Sequence, residues 1–142
     1  MSQSLTIAFP ESVTLEKALD ALRTAGLKFS NHSDSIQLSM NAPSYVDISP
    51  FSNAAAATED YATNDDLPEA FRHTVASLLL YRVSFNDFQL ATATLRGLLA
   101  NIGSDALSQS WVDSDYGWVI PGAEFLKKLH HNWDWRTPTP PL

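Results

Sequence analysis

The residues able to do chemistry in this 142-residue chain are few, and each group falls short of a motif. Asp113-Ser114-Asp115-Tyr116-Gly117, with Glu124 eleven residues after Asp113, carries acids where a calcium loop needs them at its first, third and twelfth positions. The fifth position is Gly117, which offers no side-chain oxygen, and the sixth, where a sharp turn requires glycine, is Trp118. The sequence therefore predicts a plain Asp/Gly turn between apolar flanks. His130 and His131 supply two imidazoles, but neighbouring side chains on a helix point about 100° apart and do not easily share an ion. A third ligand such as Asp134 would be needed, and the packing of Trp133 and Trp135 as a final strand or tail is the simpler reading of that cluster.

The remaining candidates are weaker. His32 and His73 are isolated, with no serine or cysteine arrangement recognisable as a triad beside them. The five glycines are scattered, so no phosphate-cradling loop exists. Glu59-Asp60 and Asp65-Asp66 are paired carboxylates, yet adjacent acids on a polar segment are ordinarily solvated, and acid-base work needs a pocket. No catalytic residue, cofactor or metal is assigned from these residues.

Charge is more informative. Between Phe29 and Phe71 stand Asp34, Asp47, Glu59, Asp60, Asp65, Asp66 and Glu69 with no Lys or Arg; the other nine acids of the chain are matched by its nine bases. The whole net charge of −7 thus lies in one stretch, which sets up a directional negative field. Such a field disfavours nucleic acid and anionic membranes, both of which reward clustered Lys and Arg. It favours a basic protein partner. Asp47, Glu59, Asp60, Tyr61, Asp65, Asp66 and Glu69 are the expected partner-binding residues, with Tyr45, Phe51 or Tyr61 as the aromatic anchors that set affinity. The alternative is that these acids only keep a loop soluble.

These residues must be positioned by a single domain, since 142 residues suffice for one core without covalent staples. Leu5, Ile7 and Phe9 alternate before Pro10, as in a half-buried strand. Thr14 is a fitting N-cap for a helix carrying Leu15, Ala18, Leu19 and Leu22, with Gly26 to stop it. Leu27–Phe29 and Ser35–Met40 flank a polar turn and read as a hairpin. Periodicity then collapses from Asn41 to Leu67, which predicts a long exposed acidic loop, shortened if a helix forms around Asn53–Tyr61. Ser77–Phe85 is a central-strand candidate, and the preceding Pro68–Ala76 could begin as a helix. Ser84 with Asp87 forms a capping box for a helix displaying Phe88, Ala91, Leu95, Leu98, Leu99 and Ile102 and ending at Gly103. A hairpin over Ser110–Asp113 and Trp118–Ile120 and a helix over Gly122–Leu129 close the pattern.

The expected fold is an α+β two-layer sandwich: two strand-helix-hairpin units, their two main helices on one face of a mostly antiparallel sheet, and a short C-terminal helix. Residues 1–40 form the first unit, 41–67 the acidic loop, 68–132 the second unit, and 133–142 a tail rich in Trp and Pro. Zero cysteines, no apolar run near membrane-spanning length and a polar opening at Met1–Gln3 make the cytoplasm the expected location.

The favoured function is a non-catalytic inhibitor that docks an acidic surface on a basic protein, for example a nuclease or other toxin whose active site must hold phosphates. In this general character the chain resembles bacterial immunity proteins and phage-encoded inhibitors, a resemblance of type that carries over no residue. A small enzyme or ligand-binding domain is the alternative, with a pocket between sheet and helices lined by Trp111, Trp118, Tyr81 and Phe88 and gated by the acidic loop. A homo-oligomeric structural subunit is a third reading, recognisable by an exposed apolar sheet face or paired edge.

Overall fold

A computed structural model describes residues 3–32, 35–39, 43–115, 118–131 and 133–136. Strand β1 (Gln3–Pro10) leads through helix α1 (Leu15–Thr24) to the hairpin β2 (Phe29–His32) and β3 (Ser35–Ser39), and then to β4 (Tyr45–Pro50). Helices α2 (Ala54–Ala62) and α3 (Glu69–Thr74) follow, with a 3-10 turn at Val75–Ser77 before β5 (Leu78–Phe85). Helices α4 (Phe88–Ala100) and α5 (Ser104–Ser108), strands β6 (Trp111–Asp113) and β7 (Val119–Pro121) and helix α6 (Gly122–Leu129) complete the order.

The strands form one antiparallel sheet in the order β2-β3-β4-β5-β1-β6-β7. Register sets the core. Ile36 faces Ile48, Ile48 faces Val83 and Val83 faces Leu5, while Tyr81 faces Ile7, Ile7 faces Val112 and Val112 faces Ile120. These rows are buried beneath α1, α4 and α6 through Leu19, Leu22, Leu95, Leu98 and Phe125. The expected α+β sandwich, with its two main helices on one face, is the observed architecture.

Caps follow local chemistry. The Thr14 side chain accepts from Lys17 N at 3.2 Å, and Gly26 takes the positive φ of 80° that ends α1. For α4 the cap is Asp87 rather than Ser84: β5 runs on to Phe85, and the Asp87 carboxylate accepts from Leu90 N at 3.0 Å. The helix also stops earlier than Gly103, at Ala100, where the Asn101 amide donates to the Gly97 carbonyl at 2.7 Å. Gly97 lets α4 pass close to the chain leaving α1: a Cβ there would lie 2.8 Å from Ala25 Cβ and 3.3 Å from Leu27 Cδ1.

The main departure from expectation is the acidic segment. Residues 41–67, expected as a long loop unless a helix formed around Asn53–Tyr61, contain helix α2 at that place and, unexpectedly, strand β4. Their apolar residues explain it. Phe51, Ala57, Tyr61 and Leu67, joined by Phe71 and Val75, cover Ala8, Leu80 and Val119 on the second sheet face. Strand β1 is consequently buried on both faces from Leu5 to Pro10 instead of half-buried.

The C-terminal tryptophans pack inward. Trp135 is fully buried, its ring 5.4 Å from Phe85 and 5.1 Å from Phe88, and its Nε1 donates to Thr92 Oγ1 at 3.1 Å. Trp133 is half-buried and lies on Trp118 at 5.1 Å. The proline-rich tail at 137–142 lies outside the described residues.

Candidate docking surface

Helix α2 begins at Asn53, whose side chain accepts from Ala56 N, and continues through the strong helix formers Ala54–Ala57. Its last turn contains Glu59 and Asp60 and no basic residue. Carboxylates there sit at the negative end of the helix dipole, where each opposes helix formation by about 0.3–1 kcal/mol at low salt. Thr63 closes the helix onto the Glu59 carbonyl at 2.9 Å. Asn64 Oδ1 then accepts from Asp66 N at 3.0 Å, and Leu67 N returns to the Asn64 carbonyl at 3.1 Å. This turn carries Asp65 and Asp66, both exposed, between Thr63 and the inward Leu67.

Glu69, in the first turn of α3, completes the group and is exposed. Two bases stand nearby. Arg72, largely covered itself, reaches the fully exposed Asp65 at 3.4 Å, and His73 lies 4.0 Å from Glu69 with both side chains largely exposed. Both contacts are long and have at least one partner in solvent, so neither neutralises the surface strongly. Glu59, Asp60, Asp65, Asp66 and Glu69 therefore share one exposed helix-turn-helix.

Asp47 and Tyr61 are placed differently. Asp47 lies half-buried on β4 in a polar strip across the second sheet face, opposite Gln37 on one side and Ser84 on the other, with Ser84 opposite Ser4. Tyr61 turns inward. Its ring meets Phe71 edge-on at 5.2 Å and its hydroxyl donates to Asp113 Oδ2 at 2.6 Å, linking α2 to β6. Burial first, and then the Asp113 charge, pushes its ionisation far above the usual phenol range. Phe51, another expected anchor, packs in the same apolar cluster beneath the Arg82 guanidinium at 4.8 Å, and Tyr45 is half-buried at the start of β4.

Asp113 also accepts from Asp115 N through Oδ1 at 3.0 Å, and Asp115 accepts from Ser4 Oγ at 3.1 Å. Although Asp115 as a residue is exposed, its carboxylate faces protein on the Ser4 side. Partial burial, followed by the neighbouring Asp113 charge, raises its pKa. Its φ of 64° is left-handed, as suits a turn. The second half of that turn, Tyr116 and Gly117, lies outside the described residues, as does Asp34.

No group of three or more His, Cys, Asp or Glu side chains among the described residues is arranged to hold a metal ion. His73, His130 and His131 are exposed. The four aromatics considered for an internal pocket are split: Tyr81 and Trp118 are buried in the main core with Phe88 against it, whereas Trp111 packs on the second face. Among the described residues no helix is long and apolar enough to cross a membrane. The Tyr61–Asp113 link escaped the sequence reading because its partners are 52 residues apart. Comparison with protein-family models, with curated proteins and with solved structures gives no match for this chain.

Proposed function

We propose that this chain is a non-catalytic binding protein that sets its acidic α2–α3 helix-turn-helix on the basic surface of a protein partner, as an inhibitor of a nuclease or other toxin would. The observation that carries this reading is the placement of Glu59 and Asp60 in the last turn of α2, followed by Asp65 and Asp66 in the turn. These carboxylates add to the negative end of the helix dipole rather than offsetting it, so the arrangement concentrates field at a cost in helix stability. A basic active site built to hold phosphates is complementary to such a surface, and opposite fields accelerate encounter. Asp47 lies on the sheet and contributes to the longer-range field only. Tyr61 acts behind the surface, fixing α2 in place. The reading sets the protein in the cytoplasm, which its cysteine-free composition supports.

The test is capture from a lysate of the native cell at low salt, run in parallel with the wild-type chain and an E59K/D60K/D65K/D66K variant of unchanged circular dichroism. A basic protein held by the wild type, released by salt and lost from the variant is the expected result. Equal retention by both chains would remove the acidic surface from the interface.

A further inference from the structure

On the opposite side of the sheet, α4, the end of α6 and the C-terminal segment border an open groove of about 250 Å³. Phe88, Thr92, Leu129 and Trp133 give it apolar and aromatic walls, and Arg96 and Asp134 are its charged residues. The two charges are not equivalent. Both Asp134 oxygens are occupied by Arg136: Oδ1 accepts from its backbone N at 2.9 Å and its Nε at 3.1 Å, and Oδ2 from Nη2 at 3.0 Å. The Arg136 guanidinium in turn lies 3.7 Å over the Phe88 ring. Asp134 is thereby neutralised within the wall.

Arg96 has no such partner among the described carboxylates. Its Nη2 donates to the Leu129 carbonyl at the end of α6, at 3.2 Å, which orients the guanidinium without cancelling its charge. A guanidinium carries five N–H donors in a planar fork, and one bond to a carbonyl leaves the others for a carboxylate. From Phe88 to Arg96 the helix rises about 12 Å, room for one ring and a short acid arm.

We infer that this groove, formed by α4, Leu129 and Trp133, binds a small aromatic carboxylate, its ring against Trp133 and its carboxylate on Arg96, while the Phe88 ring, covered by Arg136, only closes the end of the groove. The site is independent of the acidic docking surface, which lies on the other face of the sheet.

The test is titration of the 15N-labelled protein with phenylacetate, its neutral amide phenylacetamide as control, followed by NMR. Saturable shifts at the Arg96 Nε–H and the Trp133 indole with phenylacetate, at least about tenfold weaker with the amide and with R96Q, are expected, since hydrogen bonds to a charged group contribute about 1.5–3 kcal/mol. R96K, which keeps the charge but loses the fork, should bind with intermediate affinity. Absence of saturable shifts in the wild type would overturn the inference, as would equal binding of the amide, a comparison that requires no variant to fold. Tighter binding of N-acetyl-glycyl-phenylalanine than of phenylacetate would assign the groove to peptide C-termini and overturn the assignment to a small free acid.

Discussion

The Tyr61 hydroxyl donates to Asp113 across 2.6 Å, and this bond joins the acidic helix α2 to strand β6, 52 residues later in the chain. Its acceptor is charged and half-buried, so removing the donor leaves a carboxylate oxygen poorly solvated. Tyr61→Phe should cost about 1–2 kcal/mol, read as a lower urea midpoint at unchanged slope. Because the ring still packs on Phe71, hydrogen exchange should quicken in α2 before it quickens in the main core. Unchanged exchange in α2 would mean that the apolar contacts alone hold it.

Reversing the charges at the end of α2 separates stability from binding. E59K/D60K places cations at the negative end of the dipole and should stabilise the fold by a few tenths to about 1 kcal/mol per position, while slowing association with the basic partner. Thermal unfolding and stopped-flow association on the same protein test both halves. A variant that loses stability would contradict the dipole argument.

Gly97→Ala opposes two effects of known size. Alanine favours a helix interior by about 1 kcal/mol over glycine, but the new Cβ would sit 2.8 Å from Ala25 Cβ, and overpacking costs about 1–3 kcal/mol. Ala25 Cβ belongs to no flexible side chain that could move aside, so net destabilisation is expected. A raised melting temperature would show that α4 and the chain leaving α1 can separate freely.

Asp87 and Asp115 should give opposite pH dependences. The hydrogen bond from Leu90 N, and then one from Ser44, holds the Asp87 carboxyl below its ordinary value, so its contribution is present above that value and fades as pH falls through the lowered one. Asp87→Ala should therefore cost about 1 kcal/mol near neutral pH, with the difference shrinking in acid. Asp115 is raised by partial burial and by Asp113, so its favourable contribution exists in acid and is lost as pH rises through its folded value. Asp115→Asn should stabilise the protein near neutral pH, helped by the tolerance of Asn for the φ of 64°, and the gain should diminish in acid. Denaturant midpoints across a pH series test both substitutions.

Periodicity located α1, α4 and α6, a continuous apolar run marked β5, and turn chemistry located the β6–β7 hairpin. The first hairpin was expected with its leading strand at Leu27–Phe29, whereas β2 is Phe29–His32 because its polar residues pair with β3. What sequence reasoning lost was the second sheet face. Thr6 and Ala8 alternate with Leu5, Ile7 and Phe9, which looks like a strand with one wet face; only the distant arrival of Phe71, Val75 and Tyr61 covers it. Helix α2 was legible only as an option around Asn53–Tyr61, since its inward residues, Ala57, Tyr61 and Ala62, are too small or too few to mark a helical stripe among acids, and strand β4 was not legible at all. The five outward carboxylates were legible as charge from composition alone. Their gathering on one helix-turn-helix, the placement of Asp47 on β4 instead, and the inward turn of Tyr61 from α2 depended on tertiary packing.

The central position of β1 also bears on how the molecule is made. Gln3 pairs with Phe85 and Thr6 with Asp113, so during synthesis the strand leaves the ribosome long before either neighbour exists. At about 5–20 residues per second it stays unpaired for several seconds, with Leu5, Ile7 and Phe9 uncovered. Release of a chain stopped before β5 would leave an apolar strand with two open edges, a template for aggregation, so the nascent protein should be a client of ribosome-associated chaperones until its second half has emerged.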